Sequence, residues 1–407
     1  MTWESVKLKD CCISIADGDH QPPPKADIGV PFVTISDIDA FNSLDFEKAM
    51  HVPREYYDGL DSKRKAAAGD VLFSVVGSFG IPVLIKDNTP FAFQRHIAIL
   101  RPDKDLLDTR FLYYSMLSKE FFQRADAVAI GSAQRTVSLT ALRNLEITLP
   151  PLSVQRRIAD ILSAYDDLIE NNRKQIKLLE EAAQRLYKEW FIDLRFPGHE
   201  HTPIINGVPE GWRVGPAKNY FRITIGKTPP RTEHQCFTHR EGMGIPWVSI
   251  SDMGAPGYYM FSTAEGLTQE AVEKYNVKVI PAGTILLSFK LTLGRVMIAS
   301  ESCCTNEAIA HFHVSDQALS EYTYLYLKNF KYDTLGSTSS ISRAVNSSIV
   351  KDMAFIMPLP QVCSEFSKCL RPFFQKLHVL QKSTLLAQSL REQLLPKLMK
   401  QELEDVL

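Results

Sequence analysis

The sequence lacks the features that mark several large classes of protein. No apolar stretch approaches the roughly 20 residues of a membrane-spanning helix, and the first residues have neither the basic nor the apolar region of a signal peptide. None of the seven cysteines stands in a C-x-x-C pair, which disfavours a zinc ribbon or a thioredoxin-type site. We therefore expect a cytoplasmic protein whose cysteines are buried free thiols.

The motifs of nucleotide and cofactor enzymes are also missing. No Asn or Asp precedes a Pro-Pro pair and an aromatic residue, the motif of amino-methyltransferases, and no glycine-rich loop follows a predicted strand. Residues 226–228 imitate the end of a phosphate-binding loop, but Phe221 occupies its first glycine position and Pro229-Pro230 forbids the following helix. We expect no catalytic residue and no cofactor in this chain.

A metal site is conceivable at His311 and His313. The two histidines alternate along a predicted strand, so their side chains would share a face, and Cys303 and Cys304 precede them. Two half-buried histidines in a sheet explain the same spacing without a ligand. We therefore expect no metal site.

Basic residues are not in excess either. The chain has 46 Lys and Arg against 47 Asp and Glu, a net charge of -1, and a general nucleic-acid-binding protein would be more basic. However, the windows 127–145, 211–232 and 274–300 contain basic residues and no acidic one. Local basic surfaces are therefore compatible with a neutral chain, although ordinary solvated charges explain any single window equally well.

The main organisational signal is an internal duplication with an interval of about 210 residues. The matched segments are 30–37 with 245–252, 68–74 with 282–288, Gly80 with Gly294, and 135–138 with 343–346. Each copy ends in a proline-rich segment, at 149–152 and 357–360. An interval this long indicates a duplicated domain and not a solenoid.

Each copy is predicted to be a mixed α+β domain. In the first copy, β-branched and aromatic residues bounded by turn residues predict strands at 31–35, 71–76, 81–85 and 93–100. A helix near 109–124 follows, with its counterpart near 320–330.

A long helix is predicted after each copy. In the first, positions spaced alternately by four and three form a coiled-coil seam, about 48 Å long: Ile158, Leu162, Tyr165, Ile169, Asn172, Ile176, Leu179, Ala183, Leu186 and Trp190. Ser153 is expected to cap its start, and Pro197, Gly198 and Pro203 mark its exit. Asn172 either sets the register of the seam or is simply exposed to solvent.

The second long helix is predicted to start near Gln361. Its seam comprises Val362, Phe366, Cys369, Phe373, Leu377, Leu380, Thr384, Ala387 and Leu394. Pro372 should kink this helix or delay its regular start. If the two seams bury each other, connectivity requires the helices to run antiparallel.

The predicted fold is thus α+β, with two repeated mixed α/β domains separated by a long antiparallel two-helix coiled-coil spacer. The expected boundaries are 1–150 and 199–360 for the domains, and 151–198 and 361–407 for the spacer helices.

Three segments together resemble one known family. Residues 226–231 followed by 245–252 resemble the opening of a target-recognition domain of type I restriction-modification specificity subunits, and 16–20 with Pro22-Pro23 resemble another version of it. Residues 149–155 resemble the start of the family's central spacer helix. The second copy departs from the pattern, because 358–361 lack the paired prolines and Pro372 interrupts the helix.

The resemblance implies a non-catalytic subunit that reads DNA. Each domain would read one half of a bipartite target on double-stranded DNA, and the spacer would dock two modification subunits. Those subunits carry S-adenosylmethionine and methylate one adenine in each half-site, and ATP-driven restriction subunits can join them. Half-sites one helical turn apart are ~34 Å between centres, which the spacer length matches in scale.

Base edges are read by Arg, Lys, Asn, Gln, Ser or Thr side chains in loops. The candidates are Gln94, Arg95, His96, Gln134 and Arg135 in the first copy, and Lys227, Thr228, Arg231, Lys290, Arg295 and Arg343 in the second. Sequence alone cannot separate base contacts from phosphate contacts or structural roles. The alternative function is a coiled-coil adaptor that joins protein partners without reading DNA, which the basic windows disfavour weakly and the resemblance strongly.

Overall fold

Two compact units make up the chain in the computed structural model, which describes residues 3–20, 22–132, 134–239, 244–290, 292–335 and 345–400. Unit 1 comprises Met1–Ile169 and Leu386–Leu407, and unit 2 comprises Glu170–Leu385. Among the described residues, no helix combines the length and the apolar character needed to cross a membrane.

Unit 1 combines short strands with short helices and the start of one long helix. Its described strands are β1 (Glu4–Lys7), β2 (Cys12–Asp17), β3 (Val30–Val33), β4 (Met50–Val52), β5 (Val71–Ser74), β6 (Pro82–Leu84), β7 (Ala92–Phe93), β8 (Ile97–Pro102) and β9 (Glu146–Leu149). Its described helices are α1 (Leu8–Cys11), α2 (Arg54–Gly59), α3 (Thr109–Leu117), α4 (Lys119–Val128), α5 (Leu139–Asn144) and the first half of α6 (Leu152–Tyr187). The strands form the sheets β2-β8-β5-β6 and β4-β3-β7 and the pair β1-β9, and β3-β7 is parallel.

Unit 2 has a similar composition of elements. Its described strands are β10 (Ile204–Ile205), β11 (Val208–Pro209), β12 (Arg213–Pro216), β13 (Arg222–Ile225), β14 (Phe237–Thr238), β15 (Ile245–Val248), β16 (Tyr259–Met260), β17 (Glu265–Leu267), β18 (Ile285–Ser288), β19 (Val296–Ala299), β20 (Cys304–Thr305), β21 (Ile309–His313) and β22 (Ala354–Met357). Its described helices are the second half of α6, then α7 (Gln269–Lys274), α8 (Ser320–Asn329), α9 (Ser347–Asp352) and most of α10 (Pro360–Met399).

The strand orders of unit 2 repeat those of unit 1. The sheet β13-β21-β18-β19-β16 contains the order of β2-β8-β5-β6, and β14-β17-β15-β20 contains the order of β4-β3-β7. The pair β12-β22 repeats β1-β9, and the parallel pair β15-β20 repeats β3-β7. The predicted duplication is therefore confirmed, and β14 and β16 are additions of the second copy.

The chain forms the same turn after β3 in unit 1 and after β15 in unit 2. The carboxylate of Asp37 accepts hydrogen bonds from the hydroxyl and the backbone amide of Thr34, both at 2.7 Å. Asp252 accepts the same two bonds from Ser249, at 2.7 and 2.8 Å. A side-chain oxygen that satisfies a free amide in this way fixes the first turn of the following loop.

A buried serine closes the turn after β5 and after β18. Ser74 Oγ donates to the Ser78 carbonyl and accepts from the Ile81 amide, both at 2.9 Å. Ser288 makes the equivalent bonds at 2.5 and 3.0 Å. Each turn is thereby held by one side chain that has no solvent-exposed surface.

The matched glycines Gly80 and Gly294 lie in these turns for a steric reason. Their φ angles are +92° and +87°, a region that residues with a side chain rarely adopt. An added methyl group would come within 2.7 Å of the Phe122 ring in unit 1 and of the Tyr332 ring in unit 2.

The predicted strand over 93–100 is wrong, because the chain changes sheets within it. β7 pairs with β3 in one sheet, whereas β8 pairs with β2 and β5 in the other, and residues 94–96 form the turn between them. The predicted helix over 109–124 also divides, at Ser118, whose hydroxyl caps α4 by accepting from the Phe121 amide. The predicted counterpart helix is confirmed by α8.

Helix α6 begins at Leu152, two residues before the start that a cap at Ser153 predicts, so Ser153 lies inside it and is not its cap. The start is fixed by Gln155, which is only 1% exposed. Its side-chain oxygen accepts from the Asp108 amide at 2.8 Å, and its side-chain nitrogen donates to the carbonyls of Leu106 and Pro150 at 2.9 and 2.8 Å. All three partners are backbone groups: those of Leu106 and Asp108 tie α6 to the loop before α3, and that of Pro150 ties it to the end of β9.

None of the predicted seam positions of α6 is exposed. In unit 1, Ile158 and Leu162 lie in the core with Leu398 of α10. In unit 2, Asn172 is 3% exposed and donates to Ser383 Oγ at 3.2 Å. Simple solvent exposure of Asn172 is therefore wrong.

The regular part of α6 ends at Tyr187, short of the predicted Trp190. A π-helical turn over Lys188–Ile192 follows. Because this turn accommodates an extra residue, Trp190 and Phe191 both point into the core of unit 2, and their rings lie 5.4 and 4.8 Å from that of Phe366.

Helix α10 runs from Pro360 through Pro372 without interruption, so its start is not delayed. Cys369, a predicted seam residue, is exposed, whereas Leu370 is fully buried. The seam residue after Phe366 is therefore Leu370, four positions on, and not Cys369, three positions on. Such a step shifts the seam toward an 11-residue repeat. Apolar packing on both sides of Pro372 offsets the lost backbone hydrogen bond, a penalty of about 3 kcal/mol.

Candidate nucleic-acid interface

In unit 1, the segment after β2 is fastened to the turn between β7 and β8. The Asp19 amide donates to the Phe93 carbonyl at 3.1 Å, and the Arg95 amide donates to the Asp19 carbonyl at 3.0 Å. A methyl group added at Gly18 would lie 2.1 Å from the Phe93 carbonyl oxygen. Only glycine allows the two backbone segments to approach this closely.

Two further loops join this segment and the β7-β8 turn, and together they form the loop edge of unit 1. The Val75 amide donates to the His96 carbonyl at 2.8 Å, and the Gly77 amide donates to the Arg135 carbonyl at 2.9 Å. The turn after β5 thus lies between the β7-β8 turn and the loop before α5. These bonds bring together the residues predicted from the sequence: Gln94, Arg95, His96, Gln134 and Arg135.

The Arg135 guanidinium already has partners within unit 1. It forms an ion pair with Asp126 at 2.7 Å and donates to the Asp126 carbonyl at 2.5 Å. It also lies 5.9 Å from the centre of the Phe79 ring. Arg135 therefore organises its loop, and it is exposed on the surface of the edge together with Arg95 and Gln134.

Asp17 at the end of β2 and Asp19 just after it have side-chain partners that the sequence did not reveal. Arg64 lies 3.8 Å from Asp17 and 3.7 Å from Asp19. The Tyr56 hydroxyl donates to Asp19 at 2.5 Å, and His20 hydrogen-bonds Asp17 at 2.7 Å. Burial and the adjacent Asp19 raise the pKa of the Tyr56 hydroxyl, which keeps it protonated as the donor.

Unit 2 assembles an equivalent edge. The Lys227 amide donates to the Thr305 carbonyl, and the Phe289 amide donates to the Ala308 carbonyl, both at 2.9 Å. A methyl group at Gly226 would lie 2.1 Å from the Asn306 carbonyl oxygen. The segment after β13 and the turns after β18 and β20 are thereby joined, and they carry Lys227, Thr228 and Lys290.

Arg231 is held in place by its neighbours in unit 2. Its Nη1 donates to both carboxylate oxygens of Glu265, at 2.8 and 2.9 Å. The guanidinium lies 4.3 Å from the centre of the Phe237 ring and 4.7 Å from that of Trp247. Arg231 thus fastens the segment after β13 to the sheet that contains β14, β15 and β17.

Arg295 has a similar role in the loop after β15. Its Nη1 donates to the Ile250 carbonyl at 2.6 Å, and a methyl group at Gly254 would lie 2.9 Å from the guanidinium. Lys227 and Lys290 are both exposed; Lys227 Nζ donates to the Tyr275 carbonyl at 2.6 Å, and Lys290 Nζ lies 5.8 Å from the centre of the Phe289 ring. The remaining predicted residue, Arg343, lies outside the described residues.

Glu307 is an acidic residue of this edge that sequence reasoning missed. Its exposed carboxylate accepts a hydrogen bond from the Thr228 hydroxyl. That bond, with smaller contributions from Lys290 and Arg231, lowers the pKa of Glu307 below its usual range. The side chain is therefore ionised at neutral pH. The sequence signal was its place between two apolar strands, in a turn equivalent to 94–96.

His311 lies under the edge and is fully buried. Its two ring nitrogens hydrogen-bond the hydroxyls of Thr224 and Thr305 at 2.9 and 2.7 Å. Burial lowers the pKa of His311 to about 3, so the ring is neutral and structural. The expected half-burial is thus wrong for His311, and in the described part of the chain no group of three or more His, Cys, Asp or Glu is placed to hold a metal ion.

Comparison with known proteins identifies the family. The family model described as the type I restriction modification DNA specificity domain matches residues 1–181 and again 209–387. This chain belongs to that family. The two matches give independent support to the duplication, because each includes one of the two edges described above.

Specificity subunits from two organisms are similar over most of their length. The type I restriction enzyme MjaIX specificity subunit of Methanocaldococcus jannaschii is 25% identical, over 98% of this chain and 93% of that protein. The type I restriction enzyme HindI specificity subunit of Haemophilus influenzae is 22% identical, over 84% of this chain and 88% of that protein. In fold, the S subunit of a type I restriction-modification system from M. genitalium is similar, with a TM-score of 0.64 over 97% of this chain and 96% of that one, at 16% identity.

Proposed function

We propose that this chain is the DNA-reading specificity subunit of a type I restriction-modification enzyme, active in the cytoplasm and without a catalytic site or cofactor of its own. The loop edge of each unit reads one half of a bipartite target on double-stranded DNA. The observation that carries the proposal is the repeated edge itself. Two copies of one scaffold, joined by the same backbone hydrogen bonds, present different side chains, as two readers of different half-sites require.

The side chains of each edge divide into two groups. Exposed donors are suited to reading bases or phosphates, and they include Arg95, Gln134 and Lys290, with Gln94 and His96 beside them. The second group has internal partners and holds the loops in shape while most of its members supply positive charge: Arg135, Arg231, Arg295, Lys227 and Thr228. Arg343 belongs to the proposal on its sequence alone.

The long helices are proposed to form the spacer, as an antiparallel two-helix coiled coil. In unit 2, Asn172 contacts Ser383 and Trp190 contacts Phe366, so the residue numbers run in opposite directions. The proposed recognition domains are 1–150 and 199–360, and the proposed spacer segments are 151–198 and 361–407.

Two modification subunits are the proposed partners of the spacer. Apolar side chains on its helices are exposed where a solvated helix would carry polar ones: Leu178 is 64% exposed, Val379 58% and Leu386 59%. These side chains are available for a partner protein to cover. The partners would supply S-adenosylmethionine and adenine methylation, and restriction subunits would add ATP-driven cleavage.

The test uses this chain co-expressed with its modification subunits, with methylated adenines mapped across the host genome. We expect one bipartite motif, and salt-dependent binding of the purified complex to DNA that carries it. Lys290→Ala should weaken that binding through unit 2. The matched control is Lys218→Ala, because Lys218 pairs with Asp352 at 2.5 Å and precedes β13, at the other end of that strand from the edge. An adaptor would show no DNA preference and no effect of Lys290.

A further inference from the structure

The turn between β7 and β8 in unit 1 is equivalent, residue by residue, to the turn between β20 and β21 in unit 2. The Gln94 amide donates to the last residue of β3 at 3.1 Å, and the Asn306 amide donates to the last residue of β15 at 3.0 Å. The carbonyls of Gln94 and Asn306 accept from the first residues of β8 and β21. The next residue, Arg95 in unit 1, therefore corresponds to Glu307 in unit 2.

The segment that lies against this turn corresponds in the same way. The amides of Gly18 and Gly226 donate to the first residues of β8 and β21, at 3.2 and 3.1 Å. Asp19 in unit 1 thus corresponds to Lys227 in unit 2. At two adjacent positions of one scaffold, the charges are inverted between the copies.

A carboxylate at position 307 needs an explanation on a surface that binds DNA. The side chain is exposed, and an ionised carboxylate is repelled by phosphates. The Thr228 hydroxyl that donates to Glu307 fixes its direction and leaves further acceptor positions on the carboxylate open. A carboxylate is favourable in a DNA groove where it meets an exposed amino group, because cytosine N4 is the donor that Glu and Asp accept from.

We propose that position 95 of unit 1 and position 307 of unit 2 read one base each, and that their inverted charge gives the half-sites opposite preferences. Glu307 accepts a hydrogen bond from the N4 amino group of cytosine in the half-site of unit 2. Arg95 donates to O6 and N7 of guanine in the half-site of unit 1. This inference rests on the function proposed above.

The experiment exchanges the chemistry at each position in the complex with the modification subunits. Glu307→Gln keeps the size of the side chain and replaces the carboxylate by an amide, which pairs with N6 and N7 of adenine. In the methylated motif, one position of one half-site should change from cytosine toward adenine, with discrimination for cytosine reduced about tenfold or more. Arg95→Gln should change guanine toward adenine at one position of the other half-site.

Glu301→Gln is the matched control. Glu301 is also exposed. It lies after the last residue of β19, whereas the turn that carries Lys290 precedes the first residue of β19, so Glu301 is remote from the loop edge and its substitution should leave the motif unchanged. Thr228→Val is the second variant, which keeps the carboxylate and removes its donor. It should weaken discrimination at the position that Glu307→Gln changes, and at no other.

The possible failures are distinguishable. If the wild-type complex gives a bipartite motif and an active Glu307→Gln complex gives the same motif with the same base preferences, the inference is wrong and the proposed function stands. A change spread evenly over both half-sites would also overturn it. If the wild-type complex methylates no bipartite motif, the proposed function itself is wrong.

Discussion

Replacing Arg231 with alanine should loosen the segment after β13 without removing a direct contact to a base. The substitution removes an ion pair with Glu265, at 2.8 Å, and the guanidinium that lies 4.3 and 4.7 Å from the rings of Phe237 and Trp247. The segment would still be held at Lys227, whose backbone amide donates to Thr305, and at Glu233, which accepts from Lys274 and Tyr275, but the contacts at position 231 between them would be lost.

The size of the effect follows from these contacts. The side chain of Arg231 is about half exposed, so the ion pair contributes about 0.2–1 kcal/mol. Each stacking contact contributes about 0.5–1 kcal/mol at an exposed site. The total of about 1–3 kcal/mol corresponds to a fall in Tm of roughly 2–12 °C for a unit of this size.

Calorimetric unfolding of the full chain measures the loss of stability, and DNA binding by the assembled complex measures the effect of the loosened segment on recognition. Arg231→Ala should lower Tm and weaken only the half-site of unit 2. Arg231→Lys should recover part of the ion pair but little of the stacking, because an ammonium group is not planar. Arg185→Ala is the control: it removes an exposed arginine from α6, and Tm should stay constant.

One result would refute this reasoning. If Arg231→Ala leaves Tm unchanged while it abolishes binding at the half-site of unit 2, the guanidinium contacts DNA directly and its internal partners are incidental.

Three further predictions concern the rest of the molecule. Because the pKa of His311 is lowered to about 3 from an ordinary value of 6.5, the unfolded state binds the extra proton between these values. Unit 2 should therefore lose about 2 kcal/mol of stability from pH 6.5 to pH 5, and unfolding curves of His311→Gln should show a weaker dependence on pH; an unchanged dependence would exclude His311 as its source. Seven helix-forming residues inserted between Lys174 and Gln175, and seven between Gln381 and Lys382, preserve the seam phase and lengthen each helix by about 10.5 Å. The methylated motif should keep its half-site bases and gain about three base pairs in its gap, at ~3.4 Å each; an unaltered gap would show that the helices do not set the spacing. The chain alone should bind no S-adenosylmethionine in a calorimetric titration, and saturable binding would contradict a subunit without a cofactor site.

The sequence predicted the duplicated α+β architecture because the signals for it are local. Turn glycines, repeated Thr/Ser-x-Ser-Asp segments and a seam spaced by four and three can all be identified along the chain. What the sequence could not predict depends on tertiary contacts. The change of sheet within 93–100 follows from the pairing partners of β7 and β8. The burial of both Trp190 and Phe191 after the end of α6 depends on a π-helical turn, which the spacing of apolar residues does not predict.

The sequence predicted which loops carry the candidate residues, but not which partners their side chains have within the fold. Loops carrying Gln94, Arg95 and Lys290 could be selected because they hold donors between strands. Sequence could not tell that Arg295 uses its guanidinium on the Ile250 carbonyl, because that partner is 45 residues away along the chain. Glu307 was passed over because a search for positive charge excludes acidic residues, and its equivalence to Arg95 is visible only in the matching hydrogen bonds.

The bonds of Gln155 bear on how such proteins acquire new specificities. This side chain joins α6 to unit 1 through backbone groups alone, those of Leu106, Asp108 and Pro150. These three hydrogen bonds do not depend on which side chains the rest of unit 1 carries. Genetic exchange that brings in a foreign recognition domain would keep these hydrogen bonds wherever the incoming backbone follows the same course, whereas the packing of Ile158 and Leu162 would still depend on the apolar side chains that it brings.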